Sequence, residues 1–109
     1  MSDPMDLFGG GGGMGGLLGG LQERMKAVQA EAEAEVVEGS AANGLVVVKM
    51  NGAQEVLGVK IDAKAAADVE LLEDLVRAAT NDAVRRSKAA AAGKLAAFAA
   101  SMGLPPGLL

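Results

Sequence analysis

The sequence predicts an α+β domain in which a helix, a three-stranded antiparallel sheet and a long second helix follow one another. Two Asn-Gly pairs, Asn43-Gly44 and Asn51-Gly52, divide a valine-rich stretch into three segments of strand length. Asn-Gly is the preferred pair for a two-residue hairpin turn, because both central residues adopt positive φ. Apolar residues recur at helical spacing before this stretch and again after it. We therefore expect the order α-β-β-β-α.

The two helices are bounded by local signals. The first is predicted from Leu17 or Leu21 to about Val36, where apolar residues recur every three to four positions. The second is predicted over residues 69–100, and Asp68 directly before it is a suitable N-cap, since its carboxylate can accept from a free amide of the first turn. A short Ala-rich connection joins this helix to the sheet.

The two ends of the chain differ in composition from its middle. Residues 8–20 are mostly glycine, which loses the most backbone entropy on ordering, so residues 1–20 are predicted to form a flexible arm. Residues 21–101 are predicted to form a single domain, and residues 102–109 a Pro/Gly-rich tail. A phosphate-binding loop is the alternative for the glycines, but the Gly-Lys-Ser or Gly-Lys-Thr that it requires is absent.

The turns determine which residues share a face of the sheet. The strands are predicted at Glu35–Ala41, Leu45–Met50 and Gln54–Ile61. If both Asn-Gly pairs form two-residue turns, Ala41 lies opposite Val46, and Val46 lies opposite Leu57. The core face of the sheet then carries Val37, Ala41, Val46, Val48, Met50, Leu57, Val59 and Ile61.

The opposite face of this sheet is too apolar for solvent. It carries Leu45, Val47 and Val56 beside polar side chains, whereas an antiparallel sheet with one wet face alternates cleanly between apolar and polar residues. A domain of this size is also marginal on its own, because it buries little of its surface. We therefore predict a homodimer whose interface includes these three residues.

The composition excludes several kinds of function. The chain has no Cys and no His, which removes disulfides, thiolate or imidazole nucleophiles and ordinary zinc sites. Glu73 and Asp74 are candidates for acid–base catalysis, but adjacent helical residues do not face each other. No apolar run approaches the roughly 20 residues of a membrane span. We expect a protein that is not an enzyme and has no metal, cofactor, membrane or small-molecule substrate, and the lack of Cys is compatible with a reducing cytoplasm.

The charge is distributed unevenly along the chain. The net charge of −4 by itself argues against nucleic-acid binding, which depends on Lys and Arg meeting phosphates. Residues 60–109 nevertheless carry seven basic and six acidic residues, against three and eight in residues 1–59. At ~100° per residue, one outward side of the long helix is predicted to carry Arg77, Asn81, Arg85 and Lys88.

Four segments stand in a recognisable order and spacing. They are Glu38-Gly39-Ser40-Ala41 before Asn43-Gly44-Leu45-Val46, then Met50-Asn51-Gly52, Val59-Lys60-Ile61-Asp62, and Val69-Glu70-Leu71-Leu72-Glu73-Asp74-Leu75 with Ala79 and Asn81-Asp82-Ala83. Together with the closing Gly103-Leu-Pro-Pro-Gly107, they resemble the YbaB/EbfC family of small bacterial nucleoid-associated proteins over about residues 21–107. The resemblance implies a homodimer whose paired helices project like tweezers. It also implies a cytoplasmic, nucleoid-associated protein with sequence-tolerant binding to duplex DNA, which alters DNA conformation and influences gene expression.

The DNA-binding hypothesis assigns phosphate contacts to both helices. The expected contacts are Arg24, Lys26, Arg77, Asn81, Arg85, Arg86, Lys88 and Lys94, with Ser87 as a further hydrogen-bond donor. From charge pattern alone, a solvated helix face is the simpler explanation. The alternative function is an acidic homodimeric scaffold or protein-interaction module with weak or no DNA binding. Because aromatic residues make up only 2% of the chain, duplex DNA is favoured over single strands, whose bases stack on aromatic rings.

Overall fold

The structure, a computed structural model, describes residues 13–103. Its elements are α1 (Gly13–Ala34), β1 (Val36–Ala41), β2 (Val46–Asn51), β3 (Val56–Ile61), α2 (Ala63–Ala66) and α3 (Val69–Ser101). The strands form one antiparallel sheet in the order β1-β2-β3. The predicted α-β-β-β-α order is confirmed, with the one-turn helix α2 added in the Ala-rich connection.

The two long helices differ in how well their predicted starts agree with the structure. Helix α3 begins as predicted, because Asp68 Oδ1 accepts from the amide of Leu71 at 3.2 Å. Helix α1 begins at Gly13, earlier than predicted, so residues 13–20 of the predicted arm are helical. The rest of that arm and residues 104–109 of the predicted tail lie outside the described residues.

The first Asn-Gly pair lies in the turn between β1 and β2, although left-handed backbone begins one residue earlier than predicted, at Ala42 with φ of 52°. Asn43 and Gly44 have φ of 57° and 90°, and the amide of Leu45 donates to the carbonyl of Ala42 at 3.3 Å. The register that this turn imposes on β1 and β2, with Ala41 opposite Val46, is therefore confirmed.

The second Asn-Gly pair does not form a two-residue turn. Val46 lies opposite Ile61, so the predicted pairing of Val46 with Leu57 is wrong. A register shift between Lys49 and Met50 adds an irregularity that the predicted ladder lacked. The pairing of β2 with β3 is consequently displaced from the predicted one.

The side chain of Asn51 lengthens the second turn. Its Oδ1 accepts from the amides of both Ala53 and Glu55 at 3.0 Å, which captures the backbone beyond Gly52. Gln54 then takes the positive φ, 64°, that the two-residue turn would have placed at the Asn-Gly pair. The connection becomes a three-residue loop, as in hairpins whose last loop residue is left-handed.

The core lies between α3 and the first two strands. Helix α3 packs against β1 and β2, and its small residues Ala79 and Ala83 are fully buried there. The strand residues beneath it are Val46, Val48 and Met50, each at most 2% exposed. Small side chains on the helix allow the backbones of α3 and β1 to approach closely.

Strand β3 is the part of the sheet that the helices leave uncovered. Ile61, Val59 and Val56 pair with the buried Val46, Val48 and Met50. On the same side of the sheet they are nevertheless 43%, 50% and 53% exposed. About half of the surface of each of these three aliphatic residues therefore faces solvent in the single chain. Together they form an exposed band on β3, beside α3.

The structure changes the predicted placement of two of the three interface residues, Leu45 and Val56. Leu45 is partly buried against the core, and Val56 pairs with the buried Met50, so the prediction that both lie on the outer face is wrong. Val47 does face outwards, beside Lys49 and the other residues of a shallow groove on the outer face. The homodimer interface itself stays a prediction.

Candidate nucleic-acid interface

Helix α3 presents a polar row on the side away from the sheet. Its buried side is marked by Ala79, Ala83 and Ser87, all inaccessible to solvent. Four residues at spacings of four, four and three positions are exposed on the other side: Arg77, Asn81, Arg85 and Lys88. Because α3 is continuous through this region, these side chains project from one face, as predicted. We call these four residues the α3 row.

The first base of the α3 row has an acidic neighbour. Arg77 Nη2 lies 3.4 Å from Asp74 Oδ1, one turn earlier, and both side chains are 73% exposed. Exposed pairs of this kind contribute little, because solvent screens the charges and both side chains remain mobile. Arg77 can therefore leave this partner at little cost.

A single carboxylate holds the next two arginines. Asp82 Oδ2 accepts from Arg86 Nε at 3.1 Å, and Asp82 Oδ1 lies 3.5 Å from Arg85 Nη2. The same Oδ2 accepts from the backbone amide of Ser40 on β1 at 3.0 Å. Asp82 thus joins the outer surface of α3 to the edge of the sheet. Sequence reasoning missed this role, although an acid three and four positions before two arginines is a known pairing signal.

The environment of Asp82 favours its ionised form. The hydrogen bond from the Ser40 amide, together with the guanidinium groups of Arg86 and Arg85, holds the pKa of Asp82 below its ordinary value, against the opposing effect of desolvation. A lowered pKa in the folded state means that ionised Asp82 stabilises the fold above the ordinary aspartate pKa, and that this contribution disappears as the pH falls through the lowered value.

This linkage predicts that the difference in melting temperature between wild type and Asp82→Asn depends on pH. Wild type should melt at a higher temperature than Asp82→Asn at neutral pH, and the gap should shrink as the pH falls below about 4, the ordinary aspartate range. Thermal unfolding of both proteins followed by circular dichroism from pH 7 to pH 2 measures it. A gap that stays constant over the whole range would contradict this account of Asp82.

Two other predicted contacts have partners in the fold. Lys94 Nζ lies 3.7 Å from Glu35 Oε2, which ties α3 to the residue that follows α1. Ser87 is fully buried, and its Oγ donates to the carbonyl of Asn51 at 2.7 Å. The prediction that Ser87 contacts phosphate is therefore wrong. Its spacing of four residues from Ala83 on the core stripe is the signal that would have placed it inside.

The remaining predicted bases are free of acidic partners in the part of the chain that the structure describes. Lys88 on α3 and Arg24 and Lys26 on α1 are exposed, and none has a carboxylate within 4.0 Å among these residues. Arg24 lines a groove with Met102, so the beginning of α1 lies beside the end of α3. The two helices therefore run antiparallel, and both carry exposed bases.

Other kinds of site find no support among residues 13–103. No group of three or more acidic side chains is arranged there to hold a metal ion. Within the same residues, none of the helices has the length and apolar character needed to cross a bilayer.

Comparison with known proteins decides the family. The model of the YbaB/EbfC DNA-binding family matches residues 9–102. The chain belongs to this family. A nucleoid-associated protein of Rhodopseudomonas palustris is 47% identical over 90 residues, which cover 81% of this chain and 85% of the relative. A nucleoid-associated protein of Agrobacterium fabrum is 43% identical over 98 residues, covering 88% and 92% of the two chains.

The fold described above is also seen in a solved structure. An uncharacterised protein of Helicobacter pylori superposes with a TM-score of 0.61 at 23% identity, covering 81% of this chain and 87% of that one. At this identity the likeness concerns the fold alone. It agrees with the α-β-β-β-α order and the three-stranded antiparallel sheet described above.

Proposed function

We propose that this YbaB/EbfC protein binds duplex DNA as a homodimer, mainly through phosphate contacts with little sequence specificity, and alters DNA conformation in the nucleoid. The observation that carries the proposal is the α3 row of exposed Arg77, Asn81, Arg85 and Lys88. The chain's membership of a DNA-binding family, whose relatives are named nucleoid-associated proteins, supports the same conclusion.

The chemistry of this surface favours phosphate over base contact. Guanidinium and ammonium groups pair with phosphate oxygens, and contacts of this kind position a protein on DNA without reading its sequence. Base stacking, which single-strand binders use, requires exposed aromatic rings. The chain has two Phe and no Trp or Tyr, and Phe98 is half-buried. Duplex DNA is therefore the better partner.

A homodimer is supported by the uncovered side of β3. Val56, Val59 and Ile61 stand in one band beside α3 and remain about half exposed. Covering them would remove aliphatic surface from water, worth about 1 kcal/mol per half-exposed side chain. A second copy offers the same band, which is the self-complementarity that a two-fold interface requires.

Dimer formation would also strengthen a sparse basic surface. A net charge of −4 per chain repels DNA at long range, so binding must come from a local concentration of bases. Two-fold symmetry would present the α3 row twice, which is how small dimers engage two segments of a duplex. Because binding of this kind releases counterions, we expect affinity to fall steeply with salt.

The test reverses charge within the α3 row. Arg85→Glu/Lys88→Glu is expected to weaken duplex binding by about tenfold or more at ~100 mM salt, and equally on unrelated sequences, since several phosphate contacts are lost. Fluorescence anisotropy with two labelled duplexes of unrelated sequence measures this. The matched control is Lys49→Glu/Lys60→Glu on the outer face of the sheet, which changes the net charge by the same amount. If both variants lost the same affinity for duplex DNA, the α3 row would not be the binding surface.

An acidic scaffold or protein-interaction module is the second candidate. The net charge of −4 and the ion pairs of Arg77, Arg85 and Arg86 favour it, because they reduce the basic character of α3. Titration of the protein into labelled duplex at ~50 mM salt, where phosphate contacts are strongest, separates the two candidates. Absence of binding there would favour the scaffold.

A further inference from the structure

We propose that Asp82 is an internal competitor of DNA phosphate, which holds Arg85 and Arg86 and thereby limits the affinity of this chain for duplex DNA. The inference rests on the proposed function and deepens it, since it names the residue that limits how tightly the bases of α3 bind DNA. Its basis is a difference in exposure and in hydrogen bonding between the carboxylate and the two guanidinium groups.

The carboxylate of Asp82 is fixed in place. Its side chain is 21% exposed, and its Oδ2 accepts from the amide of Ser40 at 3.0 Å. That amide belongs to β1, an edge strand of the sheet, so the carboxylate caps a donor that has no neighbouring strand on that side. Asp82 can therefore turn away when DNA approaches only by giving up its hydrogen bond from the Ser40 amide.

The two arginines are far more exposed than the carboxylate. The Arg85 and Arg86 side chains are 71% and 60% exposed, and each reaches Asp82 from the following turn of the same helix. A phosphate can attract either guanidinium only by drawing it from the carboxylate or by sharing it. In both cases part of the arginine's charge is already neutralised, so its DNA contact releases fewer counterions.

Asp74 provides a natural contrast on the same helix. It approaches Arg77 at 3.4 Å, much as Asp82 approaches Arg85 at 3.5 Å, and each acid lies three positions before its arginine. Asp74, however, is 73% exposed and makes no backbone contact to the sheet within the described residues. It can move away with its own solvation intact. Of the two acids, Asp82 alone combines a fixed carboxylate with two arginines.

The first experiment compares Asp82→Asn with Asp74→Asn. Both variants remove one negative charge from α3, so their net charges are identical, and asparagine at 82 retains an oxygen for the Ser40 amide. Asp82→Asn is expected to bind a labelled duplex roughly three- to tenfold more tightly than wild type at ~100 mM salt, with a salt dependence steeper by about 1–2 phosphate contacts per chain. Asp74→Asn should differ from wild type by less than about twofold, with an unchanged salt slope.

A second pair of variants leaves Asp82 in place. Arg86→Gln and Lys88→Gln remove one positive charge each, two positions apart, but only Arg86 is held by Asp82. Lys88→Gln is expected to weaken binding several-fold and Arg86→Gln by less than about twofold, because the charge of Arg86 is already largely offset. This comparison can overturn the inference even if Asp82→Asn is too unstable to assay, which its melting curve will show.

The outcomes separate the inference from the proposed function. If wild type and all four variants fail to bind duplex at ~50 mM salt, the proposed function is wrong. If wild type binds but Asp82→Asn does not exceed Asp74→Asn, or if Arg86→Gln weakens binding as much as Lys88→Gln, the proposed function stands and the inference about Asp82 is wrong.

Discussion

Replacing Gly39 with alanine is expected to destabilise the domain by roughly 1–3 kcal/mol, the usual cost of overpacking a core. Gly39 is buried on β1 directly beneath α3. A methyl group there would meet the backbone of Ala79 and Ala83, including the Ala83 Cα at 2.6 Å. Since backbone atoms cannot rotate away as side chains do, β1 and α3 would have to separate.

The consequence of that separation extends to the proposed binding surface. Ser40, whose amide donates to Asp82, is the next residue along the strand. A displaced β1 would therefore also loosen the carboxylate that holds Arg85. Thermal unfolding measures the effect, and for a domain of this size we expect the melting temperature to fall by about 5–20 °C.

Gly58 is the matched control for this substitution. It also lies in the sheet, on β3, but a methyl group added there would meet nothing within 4 Å. Gly58→Ala should therefore leave the melting temperature unchanged or raise it slightly, because alanine loses less backbone entropy on folding. If Gly39→Ala were as stable as Gly58→Ala, the close approach of β1 and α3 described here would be wrong.

Placing a charge in the exposed band of β3 is expected to dissociate the homodimer. Val59→Glu would put a carboxylate into a face that the partner copy should cover, and an unpaired charge in a dry interface costs several kcal/mol. The two-fold axis would bring two such charges into one interface. We expect the mass measured by multi-angle light scattering at micromolar concentration to fall from two chains to one.

Lys60→Glu controls for charge and for strand position. Lys60 is the next residue on β3, so its side chain points to the opposite face, where it lines the outer groove with Lys49. This variant changes the net charge by more than Val59→Glu does, yet it should remain dimeric. A monomeric wild type, or a Val59→Glu variant that stays dimeric, would exclude this band as the interface.

Loss of the dimer should also weaken DNA binding. A monomer presents the α3 row once, so Val59→Glu is expected to lose affinity for duplex DNA although Arg85 and Lys88 are untouched. If Val59→Glu is monomeric but binds as tightly as wild type, dimer formation is not required for the α3 surface to function.

The sequence predicted those features whose causes lie within a few residues. Asp68 begins α3 because its carboxylate reaches an amide three positions later, and Asn43-Gly44 forms a turn because both residues tolerate positive φ. The outward row of Arg77, Arg85 and their neighbours followed from helical periodicity alone. Each depends on local geometry, which the order of residues specifies without knowledge of distant contacts.

The same residue pair gave a different result at Asn51-Gly52, where distant residues act on the turn in addition to the Asn51 side chain. The Gly52 amide donates to the carbonyl of Glu33 at 3.0 Å, and Ser87 donates to the carbonyl of Asn51 at 2.7 Å. A side chain at Gly52 would also meet the backbone of Ala32. Contacts from α1 and α3 thus hold the turn in a longer form, and the register of β3 changes with it.

The sequence by itself determined the order of elements, the first hairpin, the capped long helix and the face that carries the α3 row. Only the tertiary structure decided that α3 covers two strands and leaves β3 exposed, and that Asp82, which holds Arg85 of the α3 row and its neighbour Arg86, lies at the edge of β1. The physical reason is range. Caps, turns and helical faces arise from residues within about one turn of each other, whereas the exposure of Val59 and the partners of Asp82 depend on where separate elements meet in space.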